Sequence, residues 1–192
     1  MRSTMSTITA AAVAFLGLGT LAHAAGPASG STSGGADRAA IDREVRAAIG
    51  ELEAKNPAAA ALARRAKAVL VFPNITQAGF GIGGQYGTGA MLEGGRTVGY
   101  YNIVGGSFGW QIGAQSFSQA YVFNTAEAVE TFRRNRGFEV GVGLTAVVAD
   151  FGAQGEVSTS TLQAPLVVVT WGQSGLMAGA TIEGLKISEI EP

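Results

Sequence analysis

Apolar positions in this chain switch from a helical to a strand-like period about a third of the way along. Between residues 36 and 52, Ile41, Val45, Ala48, Ile49 and Leu52 recur at helical spacing and form one stripe, which predicts an amphipathic helix. Asn56-Pro57 supplies an N-cap and a first helical residue, so a second helix is expected over 58–70, with Leu62, Ala66 and Val69 on one face. A short apolar run at 69–72 is stopped by Pro73. Over 78–91 the period is two. An extended chain there puts Phe80, Ile82, Gly84, Tyr86, Thr88 and Ala90 on one face and Gly79, Gly81, Gly83, Gln85, Gly87 and Gly89 on the other. Glycine in a strand marks a bend, a bulge or the close approach of another backbone or ligand. The stripe therefore predicts a strand whose bare side is closely covered, with packing inside the same domain the favoured reading.

The rest of the pattern is mostly strand. A turn is expected at Glu93-Gly94-Gly95-Arg96, then strands over 97–104, 107–115 and 120–123, the first two separated by Gly105-Gly106. Asn124 with Glu127 three residues later resembles a capping box. It predicts a helix carrying Ala128, Val129 and Phe132, ended at Gly137. Arg133, Arg134 and Arg136 in its last turn read as complements to the helix C-terminus, with a phosphate-binding patch as the alternative. Further strands are expected near 139–148, 155–160, 165–171 and 176–187. The order predicts an α+β fold: one antiparallel, β-rich domain with N-terminal amphipathic helices and one inserted helix.

Composition changes the picture at the N-terminus. Met1-Arg2, an apolar run over 8–21 and Ala22-His23-Ala24 together read as a cleavable export signal. The run is too short for a membrane span of about 20 residues. Residues 1–24 are thus expected to leave, residues 25–35 to form a small, polar linker, and residues 36–192 to fold. The expected destination is the periplasm or cell envelope of a bacterium, or secretion. The single histidine, His23, lies in the leader, and the chain has no cysteine. The exported chain then lacks the commonest general base, the usual nucleophilic triads and the main zinc ligands. No catalytic, metal or cofactor site is expected, and an enzyme ranks below the binding functions.

Net charge is −1, with charged residues at 14%, which gives no nucleic-acid signature. Within the front helices, Arg64, Arg65 and Lys67 surround the second apolar stripe, and Arg43 and Arg46 lie off the first, interleaved with Asp42, Glu44 and Glu51. Such a pattern is either a solvated surface face or a basic amphipathic helix on an anionic membrane surface. Residues 79–84 match G-x-G-x-x-G, but the glycines alternate inside a predicted strand with no helix after them, so no nucleotide site is expected. Asp150, beside Phe151-Gly152, reads as a turn residue, and no carboxylate pair of the glycosidase kind stands out.

Three ordered motifs, GFGIGGQYGTGAM at 79–91, GGSFGWQIGAQ at 105–115 and GLMAGATIEG at 175–184, resemble the SYLF domain. That domain is a lipid-binding module of yeast actin-patch proteins, plant FYVE-domain proteins and exported bacterial proteins. ARRAKAVLVFP at 63–73 is similar to the family's approach to its glycine strand, and the resemblance spans about 37–190. It implies phospholipid binding, with phosphoinositides the usual eukaryotic ligands and anionic glycerophospholipids the bacterial ones. By position it implies Arg64, Arg65 and Lys67 as lipid-binding residues, with Arg43 and Arg46 as weaker contributors.

Three classes of function follow. The first is a peripheral module on an anionic phospholipid membrane surface, with no nucleic-acid or nucleotide partner. The second is a structural or adhesive envelope protein acting through protein contacts. The third is a small outer-membrane barrel, which suits alternating strands with aromatic residues but not the helical front end.

Overall fold

A single long hairpin dominates the architecture. The computed structural model describes residues 33–139, 146–148, 164–178 and 183–192, all within one compact unit, Ser31–Pro192. Strand β1 (Ala68–Glu93) and strand β2 (Arg96–Phe123) pair antiparallel from Ala68↔Phe123 to Glu93↔Arg96. The hairpin closes on Gly94 and Gly95, with φ of 55° and 79°. Two left-handed residues in a two-residue loop match the right-handed twist of the strands, and glycine adopts that backbone without a Cβ penalty.

Both strands run through positions expected to break them. Pro73 lies where the pairing shifts between Phe72 and Ile75, a bulge on β1 that tolerates a residue without an N–H. The Ser118 hydroxyl donates to the Pro73 carbonyl at 2.7 Å. Gly105-Gly106 does not interrupt β2 either. A Cβ at Gly105 would stand 2.8 Å from Gln85 Cγ, so glycine there makes room for a buried cross-strand side chain. The expected run of short strands is one long strand because of these two partner positions across the hairpin.

On its other edge β2 is shared. Residues 100–106 pair with β6 (Glu183–Ile190) and residues 112–123 with β5 (Leu166–Ala178). β3 (Gly137–Glu139) lies outside β6, and β4 (Ala146–Val148) pairs in parallel with β5. Among the described residues the result is a six-stranded, mainly antiparallel sheet. Near its middle the hairpin is sharply bent: a Cβ at Gly79 would lie 2.7 Å from the Gly83 Cα. The bend brings residues 71–75 of β1 across residues 87–89 of the same strand. A Cβ at Gly87 would meet the Asn74 carbonyl oxygen at 2.9 Å and Ile75 Cγ1 at 3.0 Å, and one at Gly89 would run into the Val71 carbonyl oxygen. The glycine face is therefore bare because the strand packs against itself there.

Side-chain alternation loads both faces of this sheet. Leu70, Phe72, Met91, Tyr101, Ile103, Tyr121, Phe123, Leu166 and Val168 face one buried cluster. The intervening Val71, Ala90, Ala120, Val122, Val167 and Val169 face the other. Helix α3 (Ala126–Arg134) caps the first cluster with Ala128, Val129 and Phe132, whose ring centroid lies 5.1 Å from those of Tyr101 and Phe123. Helices α1 (Ser33–Lys55) and α2 (Pro57–Arg65) cover the second cluster with Val45, Ala48, Leu52, Ala59 and Leu62.

Helix boundaries correct the sequence reading in three places. α1 begins at Ser33, so the last three linker residues are helical. α2 ends at Arg65, not near Leu70, because the apolar run from Ala68 to Phe72 pairs with residues 119–123 as strand. The N-cap of α3 is Thr125, whose hydroxyl accepts from the Ala128 N–H at 3.2 Å. The Asn124 amide is committed elsewhere, donating to the Ala164 carbonyl at 2.8 Å. Gly137 stands at the predicted stop with φ 137°, where a Cβ would run into the Ile187 carbonyl oxygen. The expected leader, most of the linker, the strand at 155–160 and Asp150 lie outside the described residues.

Candidate functional site

The cap that starts α2 also shapes a groove beside it. Asn56 Oδ1 accepts from the Ala59 N–H at 3.0 Å, and Pro57 occupies the first helical position. The helix that follows, PAAAALARR, is built almost wholly of alanine on its inner side. Alanine lets a helix approach its neighbours but fills little volume. Between α1, α2 and the hairpin there remains a groove of about 370 Å³. Ile49 and Leu52 of α1 form one wall, and Ala60, Ala63 and Ala66 the other. Ala68, Val69 and Val71 of β1 with Ala120 of β2 make the floor, and Leu92 and the Gly94-Gly95 turn border one end. Small-molecule pockets occupy about 300–1,000 Å³, mostly apolar with a few placed polar groups.

The polar groups here are Arg64 and Glu53. Arg64 Nη1 donates to Glu53 Oε1 at 3.0 Å, with the side chains 61% and 49% exposed. A pair that exposed contributes about 0–1 kcal/mol, so an incoming anion can displace the carboxylate at little cost. Glu51 is engaged by Lys55 at 2.6 Å. A second, shallower depression of about 330 Å³, bounded by Glu44, Glu51, Pro73 and Asn74, has acidic walls and no cation.

Of the basic residues singled out in the sequence, Arg64 alone lines the groove. Arg65 is exposed at the end of α2. Lys67 is exposed in the bend after the helix, its backbone N–H donating to the Phe123 carbonyl at 2.8 Å, so it is not part of the helix face assigned to it. Arg43 and Arg46 are exposed on α1. The groove itself escaped the sequence reading, although Ala60 and Ala63, one turn apart on an inward face, were the signal for it.

α1 is pinned against the hairpin tip by polar contacts. Thr97 Oγ1 donates to Asp42 Oδ1 at 2.9 Å, and the Tyr100 hydroxyl reaches the same oxygen at 3.4 Å. Arg38 lies over the Tyr100 ring at 5.9 Å and donates from Nε to the Pro192 carbonyl at 2.9 Å. Burial raises the Tyr100 hydroxyl above the ordinary phenol value and Asp42 raises it further, while Arg38 and Arg46 act in the opposite direction. At α3, Arg133 pairs with Glu93 at 2.7 Å and Arg134 donates to Thr131 at 3.2 Å, so both arginines of that helix have local partners, and Arg136 lies beyond its end.

The hairpin elbow offers a different surface. Phe80 is 81% and Ile82 67% exposed, with Tyr86 and Val104 also projecting. The G-x-G-x-x-G sequence falls at this elbow, inside β1, and the next element is β2.

Residues 104–191 match the family described as Ysc84, Las17-binding protein actin regulator. That match is consistent with the SYLF resemblance over those residues. The matched segment takes in the later part of β2, α3 and β3 to β6, and with them the motifs at 105–115 and 175–184. The groove, apart from Ala120, and all five basic residues lie ahead of that segment. None of the curated proteins compared matches the chain.

Proposed function

We propose that this chain is a non-catalytic, peripheral phospholipid-binding protein of the bacterial cell envelope that attaches reversibly to anionic lipid. The observation carrying the reading is the set of exposed cations, Arg43, Arg46, Arg64, Arg65 and Lys67, on the two helices and the bend beside an apolar groove. The lipid-binding character of the SYLF family supports it.

Magnitudes limit what charge alone supplies. A Lys or Arg near an anionic surface contributes about 1 kcal/mol and decays within a Debye length. Five such residues give about 5 kcal/mol at most, and the exposed Glu44 and Glu53 subtract from it. That corresponds to roughly millimolar affinity. Apolar contact must add the rest, so attachment is salt-sensitive and shallow. Flotation with phosphatidylglycerol vesicles tests the assignment: Arg64→Glu, Arg65→Glu and Lys67→Glu together should abolish binding at low salt. Binding equal to that of the unaltered chain would overturn it. Export belongs to the same reading, and the chain recovered outside the cytoplasm should begin at Ala25 by intact mass.

A second reading is favoured by the elbow. Phe80 and Ile82 are large apolar side chains left in solvent, as expected of a protein-contact surface. The matched family carries a protein-binding description. Under this reading the chain is an envelope protein acting through protein contacts, and Phe80→Ser with Ile82→Ser would abolish partner capture while leaving vesicle binding intact.

A further inference from the structure

We propose that the groove between α1 and α2 holds one acyl chain of an anionic lipid, with its head group on Arg64, and that Glu53 competes with that head group for the same guanidinium. This rests on the lipid-binding reading above and says which part of the lipid is held, and where.

The groove of about 370 Å³ is open to solvent on one side and lined mostly by aliphatic side chains, so it leaves apolar surface that an occupant would cover. Its walls offer aliphatic contact from Leu52, Val69 and Leu92, while alanines at 60 and 63 keep it open. At the end formed by the hairpin turn, a Cβ on Gly94 or Gly95 would meet nothing within 4 Å, so no side chain closes over the groove there. An elongated aliphatic chain fits such a space, and a polar ligand would leave its hydrogen-bonding groups unpaired against these walls.

Charge selects the head group. Glu51 is held by Lys55, which leaves Glu53 facing Arg64, with Arg65 and Lys67 exposed just beyond. The local balance is positive once Glu53 is displaced. An anion reaching Arg64 exchanges one exposed ion pair for another, and can form the two parallel N–H···O bonds that guanidinium offers to carboxylate or phosphate. A neutral amphiphile gains only the apolar contact.

The test is titration of the whole chain with monomeric decanoate and, separately, decanol, followed by calorimetry, alongside adsorption to phosphatidylglycerol vesicles. Decanoate should bind at one per chain and more tightly than decanol. Ala63→Phe, which fills the groove, should weaken decanoate at least tenfold. Glu53→Gln should tighten decanoate about threefold or more and Arg64→Gln weaken it by a similar factor, with decanol changed by neither. These two exposed side chains keep the test decisive if the phenylalanine variant misfolds. Decanoate binding that is absent, or indifferent to all three substitutions, would overturn the proposal. Vesicle adsorption without decanoate binding would overturn the groove and leave surface attachment standing. Decanoate binding without vesicle adsorption would keep the groove and overturn surface attachment.

Discussion

Gly89 is the position at which the self-crossing of the hairpin can be tested most sharply. A Cβ there would run into the Val71 carbonyl oxygen and come within 2.8 Å of Phe72 Cδ1. A ring can rotate aside, but a carbonyl in a hydrogen-bonded strand cannot. Val71 and Gly89 are each paired to β2, opposite Ala120 and Tyr101, so relieving the clash means parting two segments of the sheet. Overpacking of this kind costs about 1–3 kcal/mol, and a backbone obstacle places Gly89→Ala at the upper end. Gly84 is the internal control. It lies in the same strand, and the nearest atom to its Cβ position, the Gly105 carbonyl oxygen, is 3.7 Å away, an ordinary contact. Gly84→Ala should therefore be neutral or stabilise by about 0.4–1 kcal/mol through the unfolded chain. The two variants should differ by roughly 3 kcal/mol, or about 6–12 °C in Tm for a domain of this size. Urea and thermal unfolding followed by circular dichroism measure the difference. If the two melt within about 2 °C of each other, the account of the glycine face as a self-packing surface is wrong.

Two other expectations concern the helix cap and the buried phenols. Thr125→Ala should cost about 1 kcal/mol, whereas Asn124→Asp should leave the α3 cap intact and lose only the link to the Ala164 carbonyl; equal losses from Thr125→Ala and Thr125→Ser in urea unfolding would contradict the assigned cap. Burial pushes the Tyr121 hydroxyl far above the ordinary phenol value of 10.0, and burial together with Glu189 also raises Tyr101. The folded state then holds these protons more tightly than the unfolded state. Their contribution is complete below pH 10 and is lost as pH climbs above it, at up to about 1.4 kcal/mol per pH unit for the fully buried group. Unfolding between pH 8 and 11.5 should show a decline that Tyr121→Phe reduces; an unchanged slope would refute it.

The elements that were legible in the sequence are those whose signal is local. The stripe through Val45, Ala48 and Leu52 buries as expected, Asn56-Pro57 starts α2, and Gly94-Gly95 turns the hairpin. The α+β class follows from the switch of period. What failed depends on distant partners. Pro73 and Gly105-Gly106 read as breaks because the bulge that admits the proline, and the Gln85 side chain that needs the glycine, belong to positions elsewhere in the pairing. Asn124 and Thr125 are both good caps, and the choice between them is made by Ala164, forty residues away. Lys67 was assigned to a helix face because nothing local reveals that Ala68 will pair with Phe123. The groove was missed for a related reason: it is a space left between three elements, and only their packing reveals what the small residues of α2 leave unfilled.

The central claim is attachment to anionic lipid. Its most direct test is cosedimentation of the chain from Ala25 to Pro192 with phosphatidylglycerol and with phosphatidylcholine vesicles, each at low and high salt. Binding to the anionic vesicles alone, weakened by salt, is the predicted result. Equal recovery with both lipids, or with neither, would contradict it.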